Sequence, residues 1–238
     1  MIAARKTANE ANRMAEEFKI KIDEQASVTA RLYQAGKQSR AGVTLLLGHG
    51  AGANQTSGFM VRFAEGLAAR GIDVVTFNFL YTELGRGAPD RKDKLEACYR
   101  AAIAAATNHR KLKANRLMIG GKSMGGRIAS QVAAQGVEGL AGLVFLGYPL
   151  HPPGKPEQLR IEHLPNVQAP MLFVQGARDP FGTIDELQPI IKQLKRRATL
   201  YAIEGGDHSF KVPKRGHPSQ EQVYETAQDE IARWAQAQ

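Results

Sequence analysis

The chain has 238 residues, 43% hydrophobic and 23% charged, enough for one α/β domain with a buried core. No apolar run approaches the roughly 20 residues of a bilayer-spanning helix, so none is a candidate for one. The net charge is +9, but the basic clusters at Lys192, Lys195, Arg196 and Arg197 and at Lys211, Lys214 and Arg215 lack interleaved aromatics and a recognised nucleic-acid motif, so they read as a solvated basic surface that could favour anionic substrates.

Residues 1–16 read as a polar N-terminal segment and residues 17–238 as one domain. Met1 to Glu17 has no apolar stretch like that of a signal peptide, and the single cysteine, Cys98, cannot form an internal disulfide. Both point to a cytoplasmic protein. Phe18, Ile20 and Ile22, then Val28, Ala30 and Leu32, alternate with polar residues and predict a one-sided antiparallel hairpin. The pattern then changes to near-continuous apolar runs, as in strands buried on both faces. These are Val43 to Leu47, Val74 to Phe77, Leu117 to Ile119, Leu143 to Leu146, Met171 to Val174 and Leu200 to Ile203. Helical stripes lie between them: Phe59, Phe63 and Leu67; Leu95, Tyr99 and Ala102 with Cys98 as packing; Ile128, Ala129 and Val132; Ile184, Leu187 and Ile191. Val223, Ala227, Ile231 and Trp234 close the series. The alternation predicts an eight-stranded, mostly parallel sheet with helices on both faces and an antiparallel pair at one edge.

Reactive groups in such sheets sit beyond the carboxyl ends of strands. Ser123 stands there in Gly121-Lys122-Ser123-Met124-Gly125, on a sharp strand-to-helix turn that needs the flanking Gly121 and Gly125. The loop Gly48 to Asn54 is small enough for backbone N–H groups to approach a ligand. Ala51 or Gly52 could supply one oxyanion donor and the N–H of Met124 the other. Asp179 follows the strand ending at Val174 and could orient an imidazole. His208, after the last strand, is the candidate general base, histidine being the side chain best suited to take the serine proton. Asp207 is adjacent to His208 in sequence, so its side chain points elsewhere and is expected to fix the loop. His49, Gly52, Tyr81, His151 and Phe181 are candidate pocket-lining residues, with 81–90 and 151–164 as walls. Lys122, Arg86 and Arg91 could meet an anionic substrate. No histidine pair has metal-ligand spacing with a carboxylate or cysteine, so neither a metal nor any other cofactor is expected. Gly120-Gly121-Lys122-Ser123 is not a phosphate loop, because the required earlier glycine is Arg116.

The order Ser123, Asp179, His208 resembles the α/β-hydrolase fold over nearly the whole chain. The His-Gly-Ala-Gly-Ala loop, the Gly-Gly-Lys-Ser-Met-Gly-Gly-Arg elbow and Gly-Gly-Asp-His-Ser-Phe look like the dienelactone-hydrolase-like branch. They also resemble the group that includes bacterial hydrolases of unassigned substrate and the domain found in testis-expressed protein 30 and in a subunit of the NSL acetyltransferase complex. The resemblance implies Ser123 as nucleophile, His208 as base and Asp179 as acid. It does not give a substrate, and serine stands where many dienelactone hydrolases have cysteine. Residues 147–170 leave no room for a large cap domain. The expected activity is hydrolysis of a small carboxylic ester or thioester through an acyl-enzyme. Peptidase or C–C hydrolase chemistry on the same residues, and a non-catalytic scaffold binding a protein partner, remain open at this point.

Overall fold

The structure is a computed structural model and describes residues 15–215 and 218–238. Of the expected N-terminal segment 1–16, residues 1–14 lie outside the described residues, and Ala15 already begins the first strand. The strands are β1 (Ala15–Lys21), β2 (Ser27–Tyr33), β3 (Val43–Gly48), β4 (Asp73–Phe77), β5 (Arg116–Lys122), β6 (Leu140–Leu146), β7 (Met171–Gly176) and β8 (Ala198–Ile203). They form one sheet in the order β1-β2-β4-β3-β5-β6-β7-β8. β2 is antiparallel to both its neighbours, and every other pairing is parallel.

The helices are α1 (Gly58–Ala69), a single turn α2 (Leu80–Glu83), α3 (Lys92–Asn108), α4 (Met124–Ala134), α5 (Ile184–Leu194) and α6 (Gln220–Gln236). Alternation along each strand assigns them to faces. Leu45, Leu47, Val144 and Val174 pack with Phe63 and Leu67 of α1 and Ile231 of α6. Leu46, Ile119, Phe145 and Phe173 pack with Tyr99 of α3, Ile128 of α4 and Leu187 of α5. Each of these side chains is fully buried, and each such Leu, Ile, Val or Phe contributes about 1.5–3 kcal/mol of transfer free energy. The sheet is therefore covered on both sides. Along the fully buried inner strands β3, β4 and β7, the exposed chemistry lies beyond the strand ends.

The carboxyl ends lie along a common edge because Gly48 pairs with Gly121, Lys122 with Leu146 and Gly176 with Ile203. β5 runs three residues beyond its apolar stretch. Gly120 and Gly121 fit the ladder because they carry no Cβ: one on Gly120 would lie 1.9 Å from the carbonyl oxygen of Val144. One on Gly125 would lie 2.1 Å from the carbonyl oxygen of Gly48, so the first turn of α4 rests on β3 backbone to backbone. Gly125→Ala is expected to lower the unfolding free energy in urea by at least about 3 kcal/mol, the top of the usual range for overpacking. A loss below about 1 kcal/mol would show that α4 can lift off β3.

Candidate active site

Ser123 has φ 51° and ψ −115°, a left-handed conformation costly for a residue with a side chain. Its N–H donates to the Leu146 carbonyl at 3.1 Å, which ties the turn to β6. A serine at a helix N-cap ordinarily accepts a hydrogen bond from the first turn, as Ser219 does for α6. Ser123 makes no such bond to α4. The strained turn thus keeps the hydroxyl out of the helix and on the wall of a cavity of about 620 Å³.

His208 lines the same cavity. Its Nδ1 lies 2.7 Å from Oδ2 of Asp179, and against a carboxylate that nitrogen must donate. The bond leaves Nε2 with its lone pair free to take a proton. Asp179 is fully buried and well satisfied: Oδ1 accepts from the N–H of Phe181 at 2.8 Å, and Oδ2 also accepts from Nε2 of Gln175 at 2.9 Å. The ring of Phe181 lies on His208 with centroids 4.3 Å apart. Asp207 faces away from the imidazole, and its Oδ1 accepts from the N–H groups of Ser209 and Lys211 at 2.7 and 2.9 Å. It fixes the loop, as expected from its adjacency.

Ala51 and Met124 also line the cavity beside Ser123. Met124 is the first residue of α4, where a helix offers its N–H no acceptor. Among the described residues, the N–H of Ala51 donates to no backbone carbonyl. Both donors are thus available to an oxygen at the serine.

Of the five residues expected to line the pocket, Phe181 does and the other four do not. His49 is fully buried behind the glycine loop. Its Nδ1 donates to the carbonyl of Gly50 at 2.8 Å and its Nε2 accepts from the N–H of Phe79 at 3.1 Å. Burial pushes its pKa down to about 4, so it is a neutral peg that shapes the loop. Gly52 sits at the exposed tip with φ 71°. Tyr81 is buried in α2, in an edge-on contact with His49. His151 is buried between the carbonyl of Pro152 at 2.8 Å and Oε1 of Glu186 at 3.2 Å. The expected walls contribute Pro89, Asp90 and Arg160. Arg86 and Arg91 are absent from the lining, being paired with Asp90 at 2.8 Å and Asp93 at 3.3 Å.

Two supporting residues, Gln175 and Tyr99, escaped the sequence reading of the site, and a third, Lys122, was singled out there but for a different role. Gln175 is buried at the end of β7. Its Nε2 donates to Asp179 and to the carbonyl of Gly182 at 2.8 Å, while its Oε1 accepts from the N–H of Tyr148 at 2.7 Å. Tyr99 sits beneath the elbow, accepting from the Gly120 N–H at 3.0 Å and donating to the Gly120 carbonyl at 2.6 Å. Lys122 is 8% exposed, not solvated, and its Nζ donates to the carbonyl of His208 at 2.6 Å. It also lies 5.6 Å from the ring centroid of Phe59. An amide at the end of an otherwise apolar strand was the one available signal for Gln175.

A serine on a strained strand-to-helix turn, an imidazole backed by a buried carboxylate and two free backbone donors on a mostly parallel sheet define the serine-hydrolase class of α/β architecture. The comparisons agree. The profile of the alpha/beta hydrolase domain family matches residues 41–236, and the chain belongs to that family. It is similar in fold to a lidless α/β serine hydrolase from Xanthomonas campestris, with 19% identity and TM-score 0.72 over 92% of this chain and 94% of that one. It is also similar to a dienelactone hydrolase from Anabaena variabilis, with 22% identity and TM-score 0.68 over 91% and 96%. A third likeness is to an esterase from Pyrococcus furiosus, with 15% identity and TM-score 0.72 over 95% and 93%. Like the first of these, the described residues carry no separate cap over the sheet.

Lys122 gives the site a pH signature. Burial lowers its pKa from 10.5 to about 8, against the raising pull of Asp179 and Asp207. Such a shift costs on the order of 3 kcal/mol of stability while the ammonium is charged. Between about 8 and 10.5 the unfolded chain holds the extra proton, so this group makes stability rise with pH there. Measured by urea unfolding against a Lys122→Met variant, the wild type should gain stability relative to the variant as pH rises through that window. A difference that stays flat would mean that the buried ammonium keeps its ordinary pKa.

Proposed function

We propose that the protein is a serine hydrolase of small carboxylic esters or thioesters, with Ser123, His208 and Asp179 as its triad. The observation that carries the reading is the 2.7 Å bond from His208 Nδ1 to the buried Asp179 beside a serine hydroxyl withheld from its helix. In this mechanism His208 Nε2 takes the Ser123 proton as Oγ attacks the carbonyl carbon. The N–H groups of Met124 and Ala51 stabilise the oxyanion. His208 then protonates the departing alkoxide or thiolate, and a water molecule activated by the same nitrogen releases the acid. The largely apolar surroundings, Phe59, Met60, Leu95 and Phe181, suit a small acyl group. An esterase and a dienelactone hydrolase among the structural neighbours support the chemistry. On the strength of its glycine loop and elbow motifs, we place the chain in the dienelactone-hydrolase-like branch, near the testis-expressed protein 30 group.

A fluorophosphonate probe is expected to label the wild type and to leave Ser123→Ala and heat-denatured protein unlabelled. His208→Ala should lower kcat/KM on a responsive ester by at least about 10³-fold. Folded wild type that takes no label would redirect the reading to a non-catalytic hydrolase-fold scaffold.

A further inference from the structure

The cavity has a charged end that the triad does not use. Arg127 and Arg160 both line it, from the first turn of α4 and from the segment after β6. Arg127 stands four residues beyond Ser123, about 6 Å along the helix axis at 1.5 Å per residue, on the same side of the turn. Its Nε is buried without a hydrogen-bond partner. Among the described residues neither guanidinium makes an ion pair or side-chain hydrogen bond.

Among the described residues no carboxylate is in ion-pair contact with either guanidinium, although Glu96 is near enough to pull the Arg127 pKa upward and its Oε1 accepts no hydrogen bond. Asp90 lines the cavity but is held by Arg86 at 2.8 Å. Glu96 is shared between Lys92 at 3.5 Å and the side-chain amide of Gln135 at 3.0 Å. Burial lowers the pKa of Arg127, and the proximity of Arg160 lowers it further, while Tyr148 and Glu96 only partly offset this. Two like charges lining one cavity with no carboxylate in contact with either are unfavourable in the empty protein. A planar guanidinium pair is well suited to bind a carboxylate or phosphate.

We propose that Arg127 and Arg160 form an anion subsite, and that the substrates are esters or thioesters whose acyl part ends in a carboxylate or phosphate. The acyl chain runs from Ser123 along the first turn of α4, past Leu95 and Met124, to the two guanidinium groups. The placement of the scissile bond rests on the serine-hydrolase reading. The anion subsite itself does not.

The test compares mono-4-nitrophenyl adipate with 4-nitrophenyl hexanoate, esters of equal carbon length with and without a terminal carboxylate, in wild type, Arg127→Met, Arg160→Met and Arg127→Lys. The wild-type kcat/KM ratio should favour the adipate. It should fall at least tenfold in each methionine variant and recover in part with lysine. A ratio unchanged within twofold, including one where both esters lose rate in parallel, overturns the proposal. A second arm uses calorimetry on folded Ser123→Ala with monomethyl adipate and, separately, inorganic phosphate. Binding of either that disappears in Ser123→Ala/Arg127→Met upholds the subsite and identifies which anion it takes. Binding of neither overturns it. If the wild type takes no fluorophosphonate label while this arm succeeds, the serine chemistry fails and the anion site stands.

Discussion

The structure of the site depends on how closely β5 and α4 approach β3. A Cβ at Gly121 would stand 2.2 Å from the carbonyl oxygen of Gly48, and one at Gly125 would stand 2.1 Å from it. Only backbone fits there. That contact compels the chain to turn within one residue, and Ser123 absorbs the turn at positive φ. Strain of this kind costs about 1–3 kcal/mol and persists only where the surroundings over-determine it. Here the surroundings are the ladder on both sides of β5, the Tyr99 hydroxyl bound to Gly120, and the bond from Ser123 to Leu146. The sheet stabilises the conformation, and the helix gives up a side-chain cap.

The second constraint is electrostatic. His208 is held at two points by groups of opposite charge: Asp179 accepts from its ring, and Lys122 donates to its backbone carbonyl. Both groups are buried, so both carry a desolvation penalty that a hydrocarbon would avoid. Their arrangement accounts for what is gained. Asp179 sets the tautomer, and Gln175 and the Phe181 N–H set the orientation of Asp179. Lys122 acts on the main chain, so it can fix the loop without touching the ring nitrogen that would exchange protons. Removing it would loosen the position of the histidine while leaving the carboxylate contact chemically intact.

The sheet was legible because strands buried on both faces must be apolar without interruption, as Val43–Leu47 and Met171–Val174 are. The rule that reactive groups follow strand ends then selected four segments, and the structure brings Ser123 and His208 to one cavity with Asp179 behind the histidine. The same rule says which loop matters but not where a side chain on it points. His49, Tyr81 and His151 lie on the chosen segments and turn inward to backbone or neighbouring rings, because a tight glycine loop and a short helix need buried support. Lys122 was read as a residue that could meet an anionic substrate, and its Nζ instead reaches the backbone of the histidine loop. It is buried because a residue next to the elbow, opposite Leu146 in the ladder, has no route to solvent except through the cavity. Arg127 was within reach of helix spacing alone, four residues past the serine. Arg160 was not, since its approach depends on the path of an irregular segment.

A hydrolase with no separate cap cannot gain specificity by closing a domain over its substrate. Discrimination must come from walls already in place, and hydrophobic walls alone separate acyl chains by only about 1–3 kcal/mol per methylene. Unpaired charge is a stronger discriminator. If the proposed subsite holds, two guanidinium groups with no carboxylate in contact with them reward an anionic substrate and stay unpaired with a neutral one. The net charge of +9 works in the same direction at longer range, attracting anions before contact and losing that effect as salt screens it. On the proposed anion subsite, the basic surface and the cavity would share one physical role, the first raising the encounter rate and the second fixing the orientation of an anionic substrate.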